Sequence, residues 1–331
     1  MFNYVADFPN HRGRRLRNNF WIRDLVAENN ISVNDLIWPI FLIEGNDKIE
    51  PINELPGVNR YTVDKLIGIA SKAFELGIKC VALFPKTPTN LKTLNCEEAY
   101  NPENLVNKAT RLLKKKIPDL GIMLDVALDP YNSLGHDGLV KDDKILNDET
   151  LEILIKQSLV QAESGADILG PSDMMDGRVK LIREELEANG YSNTGILSYS
   201  VKYSSSFYGP FREAASSSPS FGDRSSHQMD IKSGYSEAIL EATTDVQEGA
   251  DIIMIKPAFT YLDVVREVSK EITRPVAVYN VSGEYSMVMA ATTDVQSRRK
   301  MVSEIFHSFK RAGADVIVSY HTREAMENNW F

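Results

Sequence analysis

Cysteine is scarce in this sequence: two residues, Cys80 and Cys96, in a chain of 331. A chain this long can bury a core without covalent staples. Such sparse cysteine therefore excludes a disulfide-built scaffold and fits a reducing compartment. Basic charge is also short. Lys and Arg total 37 against 46 Asp and Glu, a net charge of −9, which argues against nucleic acid as a partner because phosphate binding needs a net basic face. No run approaches the roughly 18 apolar residues of a membrane-spanning helix. The opening Met1-Phe2-Asn3-Tyr4 lacks the basic start and apolar stretch of a secretory leader. Together these features predict a cytoplasmic protein with neither a nucleic-acid nor a membrane partner. A glycine-rich dinucleotide fingerprint after the first apolar run is missing too, which disfavours an open nucleotide-binding sheet.

What the chain does have is a regular series of short apolar runs: Trp38–Ile43, Cys80–Phe84, Gly121–Leu128, Ala166–Pro171, Gly195–Ser200, Ala250–Lys256, Pro275–Val281 and Ala314–Tyr320. Each is bounded by Gly, Pro or Asp and is continuously apolar rather than alternating, as a strand buried on both faces requires. Helical segments separate them: Val63–Leu76, Pro102–Lys115, Asp148–Glu163, Tyr235–Gln247, Tyr261–Glu271 and Thr293–Lys310. In the third, Ile153, Ile155, Leu159, Val160 and Ala162 predict the inner face, with Glu152, Lys156, Gln157 and Glu163 outside. Three helices end in the same word before the next strand: Gly165-Ala166-Asp167, Gly249-Ala250-Asp251 and Gly313-Ala314-Asp315. Glycine there supplies the left-handed residue that stops a helix. Eight strand–helix units in series predict a closed (β/α)₈ TIM barrel over residues 36–331. Residues 1–35 precede it as an extended N-terminal arm. Phe8, Leu16, Phe20, Trp21 and Ile22 give that arm apolar surface for packing on another subunit, and Arg12, Arg14, Arg15 and Arg17 make it basic.

A barrel of this kind places its active site at the C-terminal strand ends. Asp125, Ser172, Asp173, Lys202, Lys256, Ser282 and Tyr320 stand at or just after those ends. Lys256 follows Ile252-Ile253-Met254-Ile255, an apolar wall that lowers an amine pKa by desolvation, and Lys202 on the adjacent strand adds a like charge that acts the same way. A lone strand-end lysine is ordinarily a snorkelling surface residue. Two on neighbouring strands raise amine chemistry as an equal reading. The segment after Lys202, from Tyr203 to Asp223-Arg224, is long enough for a lid, and its Arg212 and Arg224 suit a carboxylate clamp.

Several of these stretches resemble one known family. Ser198-Tyr199-Ser200-Val201-Lys202-Tyr203-Ser204-Ser205-Ser206-Phe207-Tyr208-Gly209-Pro210-Phe211-Arg212-Glu213-Ala214 and Met254-Ile255-Lys256-Pro257-Ala258 look like the two lysine motifs of the porphobilinogen synthase (5-aminolevulinate dehydratase) family. Pro171-Ser172-Asp173-Met174-Met175-Asp176-Gly177-Arg178, Val281-Ser282-Gly283-Glu284-Tyr285 and Leu55-Pro56-Gly57-Val58 match in the family's order. The resemblance implies a barrel with an N-terminal arm, assembled as a homo-octamer with a hexamer as the alternative. Its implied reaction is condensation of two 5-aminolevulinate molecules to porphobilinogen in tetrapyrrole (heme) synthesis, one Schiff base on Lys256 and one on Lys202. It also implies that Arg212, Arg224 and Gln228 hold one substrate carboxylate, that Ser282 and Tyr320 hold the other, and that Asp125 and Ser172 touch substrate.

The chain departs from the family's zinc-dependent members. Where those carry three cysteines it reads Ala127, Asp129 and Asp137. Alanine offers no ligand atom and carboxylates suit hard cations, so no catalytic zinc is expected. The resemblance is instead to magnesium-responsive members, with an allosteric Mg²⁺ at Glu241, Asp176 nearby, and Asp129 and Asp137 as a second candidate cation position. Arg224-Ser225-Ser226-His227-Gln228 also departs from the usual Lys after that Arg and Tyr before that Gln, leaving the roles of His227 and Gln228 open. Two rival classes are a single-lysine class I aldolase and a non-catalytic binding barrel. Only the two-lysine enzyme uses both lysines and both lid arginines.

Overall fold

The computed structural model describes residues 8–331. The opening Met1–Tyr4 stretch and the first seven residues of the predicted arm lie outside the described residues. From Gly13 to Asp35 the chain forms a 3₁₀ turn (Gly13–Arg17), helix α1 (Phe20–Leu25) and a second turn (Val33–Asp35). Phe8, Leu16, Phe20, Trp21 and Leu25 are more than half exposed there, and Arg12, Arg14, Arg15 and Arg17 face solvent.

Twelve strands follow: β1 (Leu36–Ile43), β2 (Ile49–Pro51), β3 (Asn59–Tyr61), β4 (Cys80–Lys86), β5 (Gly121–Val126), β6 (Leu139–Lys141), β7 (Lys144–Leu146), β8 (Ile168–Pro171), β9 (Gly195–Lys202), β10 (Ile252–Lys256), β11 (Val276–Asn280) and β12 (Val316–Ser319). Eight of them pair in parallel in the order β1-β4-β5-β8-β9-β10-β11-β12, and β12 closes back on β1 through Leu36↔Ile317 and Ile37↔Val318. These are the eight predicted runs, with ends moved by up to two residues. The barrel is thus a (β/α)₈ closed sheet. Above the closure β3 lies beside β1 (Phe41↔Arg60, Leu42↔Tyr61), and β2 pairs antiparallel with β3.

The helices are α2 (Val63–Glu75), α3 (Leu105–Lys116), α4 (Asn147–Glu163), α5 (Arg178–Ala188), α6 (Gly209–Ala215), α7 (Tyr235–Glu248), α8 (Leu262–Glu271), α9 (Ser282–Ala291), α10 (Val295–Ala312) and α11 (Thr322–Glu327). Gly249 and Gly313 end α7 and α10 at φ +110° and +115°, a region that favours glycine. The aspartate of the repeated word has a role that its spacing does not reveal. Asp167, Asp251 and Asp315 each accept the backbone N–H of a residue on the preceding barrel strand, Ile122, Ile196 and Val276, at 2.8, 2.8 and 2.9 Å. Each word therefore stops a helix and stitches the floor of the barrel.

Strand alternation separates two apolar layers. Ile37, Phe41, Ala82, Phe84, Met123, Tyr199, Met254 and Tyr279 fill the barrel, while Ile40, Leu83, Leu124, Ile253, Ile255 and Val278 face the helices. The inner face predicted for α4 needs correction. Ile153 and Ala162 are buried as expected, but Ile155, Leu159 and Val160 are only half-buried, while Leu154, Gln157, Ser158 and Gln161 join the buried side. The reason lies in β5: Gln157 and Gln161 donate to the carbonyls of Ala127 and Asp125 at 3.2 and 2.9 Å. Two amides thus satisfy strand-end carbonyls that apolar residues would leave unpaired.

Candidate active site

The sequence of β9 cannot by regular alternation point both Tyr199 and Lys202 inward, because residues three apart in a strand face opposite sides. The structure solves this with a bulge. Ile253 pairs with Ser198, but Ile255 pairs with Val201, so β9 carries one extra residue. That insertion turns Lys202 inward and makes it the direct register partner of Lys256. Both lysines stand on the C-terminal rim and both are buried.

Lys256 is boxed by aromatic rings. Its Nζ lies 4.8 Å from the Tyr279 ring centre, 5.0 Å from Tyr208, 5.1 Å from Tyr199 and 5.2 Å from Phe211. Its carbonyl accepts the Tyr208 hydroxyl at 3.0 Å and the Tyr203 N–H at 2.9 Å, which fixes the strand end. Burial, and then the Lys202 charge, push the Lys256 amine down to about 7 against the opposing carboxylates of Asp125, Asp129 and Asp137. Asp125, at the end of β5, moves the other way. Burial, and then Asp129, push its carboxyl up to about 7, while Lys256 and Lys202 oppose. Both groups therefore titrate near neutral pH, where an amine can add to a ketone and a carboxyl can give up a proton.

Lys202 sits differently. Its Nζ donates to the Ser172 backbone carbonyl and lies 3.8 Å from Asp137 Oδ1. Asp137 is a hub. It accepts Arg224 Nη1 at 3.1 Å, lies 2.8 Å from His227 Nε2, and accepts Gln228 Nε2 at 3.3 Å. Burial alone would raise its carboxyl, but Arg224, Lys202 and His227 outweigh that and hold it far below the usual range. Arg224 reaches Asp129 as well, at 3.4 Å.

The lid, from Tyr203 to Gly234, is ordered around a 3₁₀ turn (Ser206–Tyr208) and α6. It lies closed over the rim. Ser282 Oγ accepts the Phe211 N–H at 3.0 Å and donates to the Phe207 carbonyl at 3.2 Å. Gly283 is required at this contact, since a Cβ there would stand 2.7 Å from the Phe207 carbonyl oxygen and 2.9 Å from its Cα. The cavity beneath, lined among others by Asp125, Ser172, Lys202, Arg212, Arg224 and Lys256, is only about 20 Å³. A substrate therefore has to enter with the lid moved. Arg212 faces this space, and its Nε is buried without a hydrogen-bond partner among the described residues. Burial, and then Arg224, lower its pKa. A larger cavity of about 300 Å³ lies beside the β1–β12 seam; neither lysine lines it, and its arginines are paired, Arg298 with Glu324 and Arg323 with Glu327.

The structure thus brings Asp125, Asp129, Asp137, Ser172, Lys202, Arg212, Arg224 and Lys256 to one rim. Gln228 reaches that group through Asp137, and Ser282 through the lid. Tyr320 points inward beside it, its hydroxyl 3.2 Å from that of Tyr279. Tyr199 and Tyr279 went unnoticed in the sequence. Each is a tyrosine at an inward strand position, a signal readable only once the faces are known. Glu241 lies apart on α7. Burial, and then Asp245, Asp176 and Glu237, raise its carboxyl against the lowering effect of Arg178.

Asp129 and Asp137 do not fit a divalent ion in this arrangement, because the Arg224 guanidinium already occupies their oxygens. Among the described residues no three His, Cys, Asp or Glu side chains converge as a ready metal site. Glu241 with Asp176 is an all-oxygen pair whose negative charge Arg178 offsets only in part, a chemistry that suits an ion keeping most of its waters. No helix among the described residues is long and apolar enough to cross a membrane.

Comparison with known proteins gives one answer. The family model described as delta-aminolevulinic acid dehydratase matches residues 10–328. A delta-aminolevulinic acid dehydratase of Methanothermus sociabilis is 50% identical over 322 residues, covering 97% of this chain and 99% of the relative. One from Bradyrhizobium diazoefficiens is 48% identical, covering 96% and 90%. The crystal structure of the Toxoplasma gondii enzyme with its reaction product porphobilinogen superposes with a TM-score of 0.93 at 43% identity, covering 96% of this chain and 91% of that one.

Proposed function

The chain belongs to the delta-aminolevulinic acid dehydratase family, and from that premise we infer how its barrel carries out the reaction. The protein is a hydro-lyase that condenses two molecules of 5-aminolevulinate to porphobilinogen with loss of two waters. We assign one Schiff base to Lys256 and one to Lys202. Each amine adds to a ketone, and each adduct sheds the ketone oxygen as water, which accounts for both waters. One imine stays electrophilic, and the other loses a neighbouring proton to become the enamine nucleophile. Both lysines are freed as the new C–C and C–N bonds form. The observation that carries this reading is the register pairing of Lys202 with Lys256, which sets two amines side by side, one of them with a pKa near 7. Asp125 is the proton donor beside Lys256, and Ser172 holds Lys202 through its carbonyl and lines the substrate space.

Arg212, Arg224 and Gln228 take the carboxylate of the substrate on Lys202. The unpartnered Arg212 Nε supports this, while Arg224 and Gln228 would exchange Asp137 for substrate. Ser282 and Tyr320 take the other carboxylate, exchanging their present lid and Tyr279 contacts. Magnesium would be held by Glu241 and Asp176 and would neutralise their charge, tuning assembly rather than the condensation. The exposed apolar residues of the arm support packing on a second subunit, with a homo-octamer as the working assembly and a hexamer as its alternative. Two free thiols, both pushed up to about 12 chiefly by burial, fit the cytoplasm.

Borohydride trapping with 5-aminolevulinate, followed by peptide mass spectrometry, tests the assignment. Adducts are expected on both Lys202 and Lys256. Labelling confined to one lysine at saturating substrate would refute the two-imine reading and leave a single-lysine mechanism of the aldolase kind.

A further inference from the structure

The Leu55-Pro56-Gly57-Val58 loop has no part in the chemistry above, yet it is firmly anchored. Tyr285 and Ser286 on α9 donate to its Pro56 and Glu54 carbonyls at 2.6 and 2.9 Å, and Leu55 is fully buried. The loop delivers β3, and β3 carries Arg60. That side chain is 7% exposed and points at the lid. Arg60 Nε donates to the Ala214 carbonyl at 2.7 Å and Nη2 to the Glu213 carbonyl at 3.0 Å. The remaining donor, Nη1, goes to Glu50 at 2.6 Å, which also accepts Lys86 at 3.1 Å.

Both carbonyls belong to the last turn of α6, the lid helix that bears Arg212, and that of Glu213 also accepts the Ser216 N–H at 3.3 Å. Helix-end carbonyls have no partner within the helix and carry its negative pole. A planar guanidinium can satisfy two of them at a fixed angle, which an ammonium cannot. Lys92 adds a second clasp by donating to the Ser216 carbonyl. At the other end Ser282 holds Phe211 and Phe207. The lid helix is therefore gripped at both ends, by residues more than 60 positions from it in the chain, and Arg212 directly precedes the two residues that Arg60 holds.

We propose that Arg60 is a positioning residue for substrate carboxylate capture, capping the lid helix from outside the barrel so that the Arg212 guanidinium faces the cavity. This rests on Arg212 being a carboxylate clamp, and a double-mutant cycle separates the two ideas. The intact enzyme is assayed over a range of 5-aminolevulinate concentrations as wild type, Arg60→Met, Arg212→Ala and the double variant. Arg60→Met is expected to raise KM by about tenfold or more with a smaller change in kcat. On the Arg212→Ala background it should add little, because the group it positions is gone. Hydrogen exchange at amides 211–217 should quicken in Arg60→Met. An unchanged KM for Arg212→Ala would remove the clamp itself. A normal clamp with a full, independent Arg60→Met factor on the Arg212→Ala background would overturn the positioning role. If Arg60→Met does not fold, Arg60→Lys decides: a KM between wild type and Arg212→Ala supports the clasp, and a wild-type KM overturns it.

Discussion

Replacing Lys256 by methionine should end turnover and at the same time make the protein more stable near neutral pH. Methionine matches the aliphatic length of lysine and suits the ring box of Tyr199, Tyr208, Phe211 and Tyr279 without the charge. In the native state the amine is pushed down to about 7, chiefly by burial, whereas an exposed lysine in the unfolded chain stays charged up to 10.5. Between those pH values the unfolded chain binds more protons than the native one, so the lysine's cost to stability is full below about pH 7 and fades as pH rises toward 10.5. At ~1.36 kcal/mol per pKa unit the gap corresponds to about 5 kcal/mol at most. Asp125 loses a compensating neighbour in the variant, so a gain of roughly 2–3 kcal/mol is the expectation. Urea unfolding at matched protein concentration, at about pH 7 and about pH 9.5, measures it. The midpoint of Lys256→Met should exceed wild type at the lower pH, and the difference should shrink at the higher. A lower midpoint at neutral pH, or a gain independent of pH, would show that the amine is not held neutral by burial.

Lys202→Gln removes the like charge that helps depress Lys256, so the pH above which borohydride traps an imine at Lys256 should move upward; an unmoved profile would assign the depression to burial alone. Gly283→Ala drives a methyl into the Phe207 backbone and should cost the closed lid about 1–3 kcal/mol, read as a fall of about five- to hundredfold in kcat/KM with faster exchange of amides 206–212; wild-type kinetics would mean that the closed lid is not the reactive form. Glu241→Ala should abolish the response of native-gel assembly and activity to magnesium while basal turnover persists, and a response that survives would move the ion elsewhere.

Much of the site was legible because strand ends are marked in the sequence. Lys256 and Tyr320 close apolar runs, Lys202 closely follows one and Asp125 lies near the end of another, and a barrel sends such ends to one rim. The Gly-Ala-Asp word located three helix ends, since only a left-handed residue stops a helix so abruptly. Its aspartates were opaque, because the N–H that each accepts belongs to another strand. The α4 face was misjudged in part for the same reason: Gln157 reads as outward-facing until the carbonyl it satisfies is in view.

Local periodicity and backbone preference were enough to read the barrel and its succession of strands from the chain alone, with strand ends placed to within two residues. Tertiary structure alone decided the geometry of the chemistry. The β9 bulge, not alternation, turns Lys202 to face the same space as Lys256. Arg224 folds back 87 positions to neutralise Asp137, so two carboxylates that read as a cation site are held by the chain's own cation. Arg60 caps a helix 153 positions away. Contacts of that span depend on where closure of the sheet brings remote segments, and no local pattern records it.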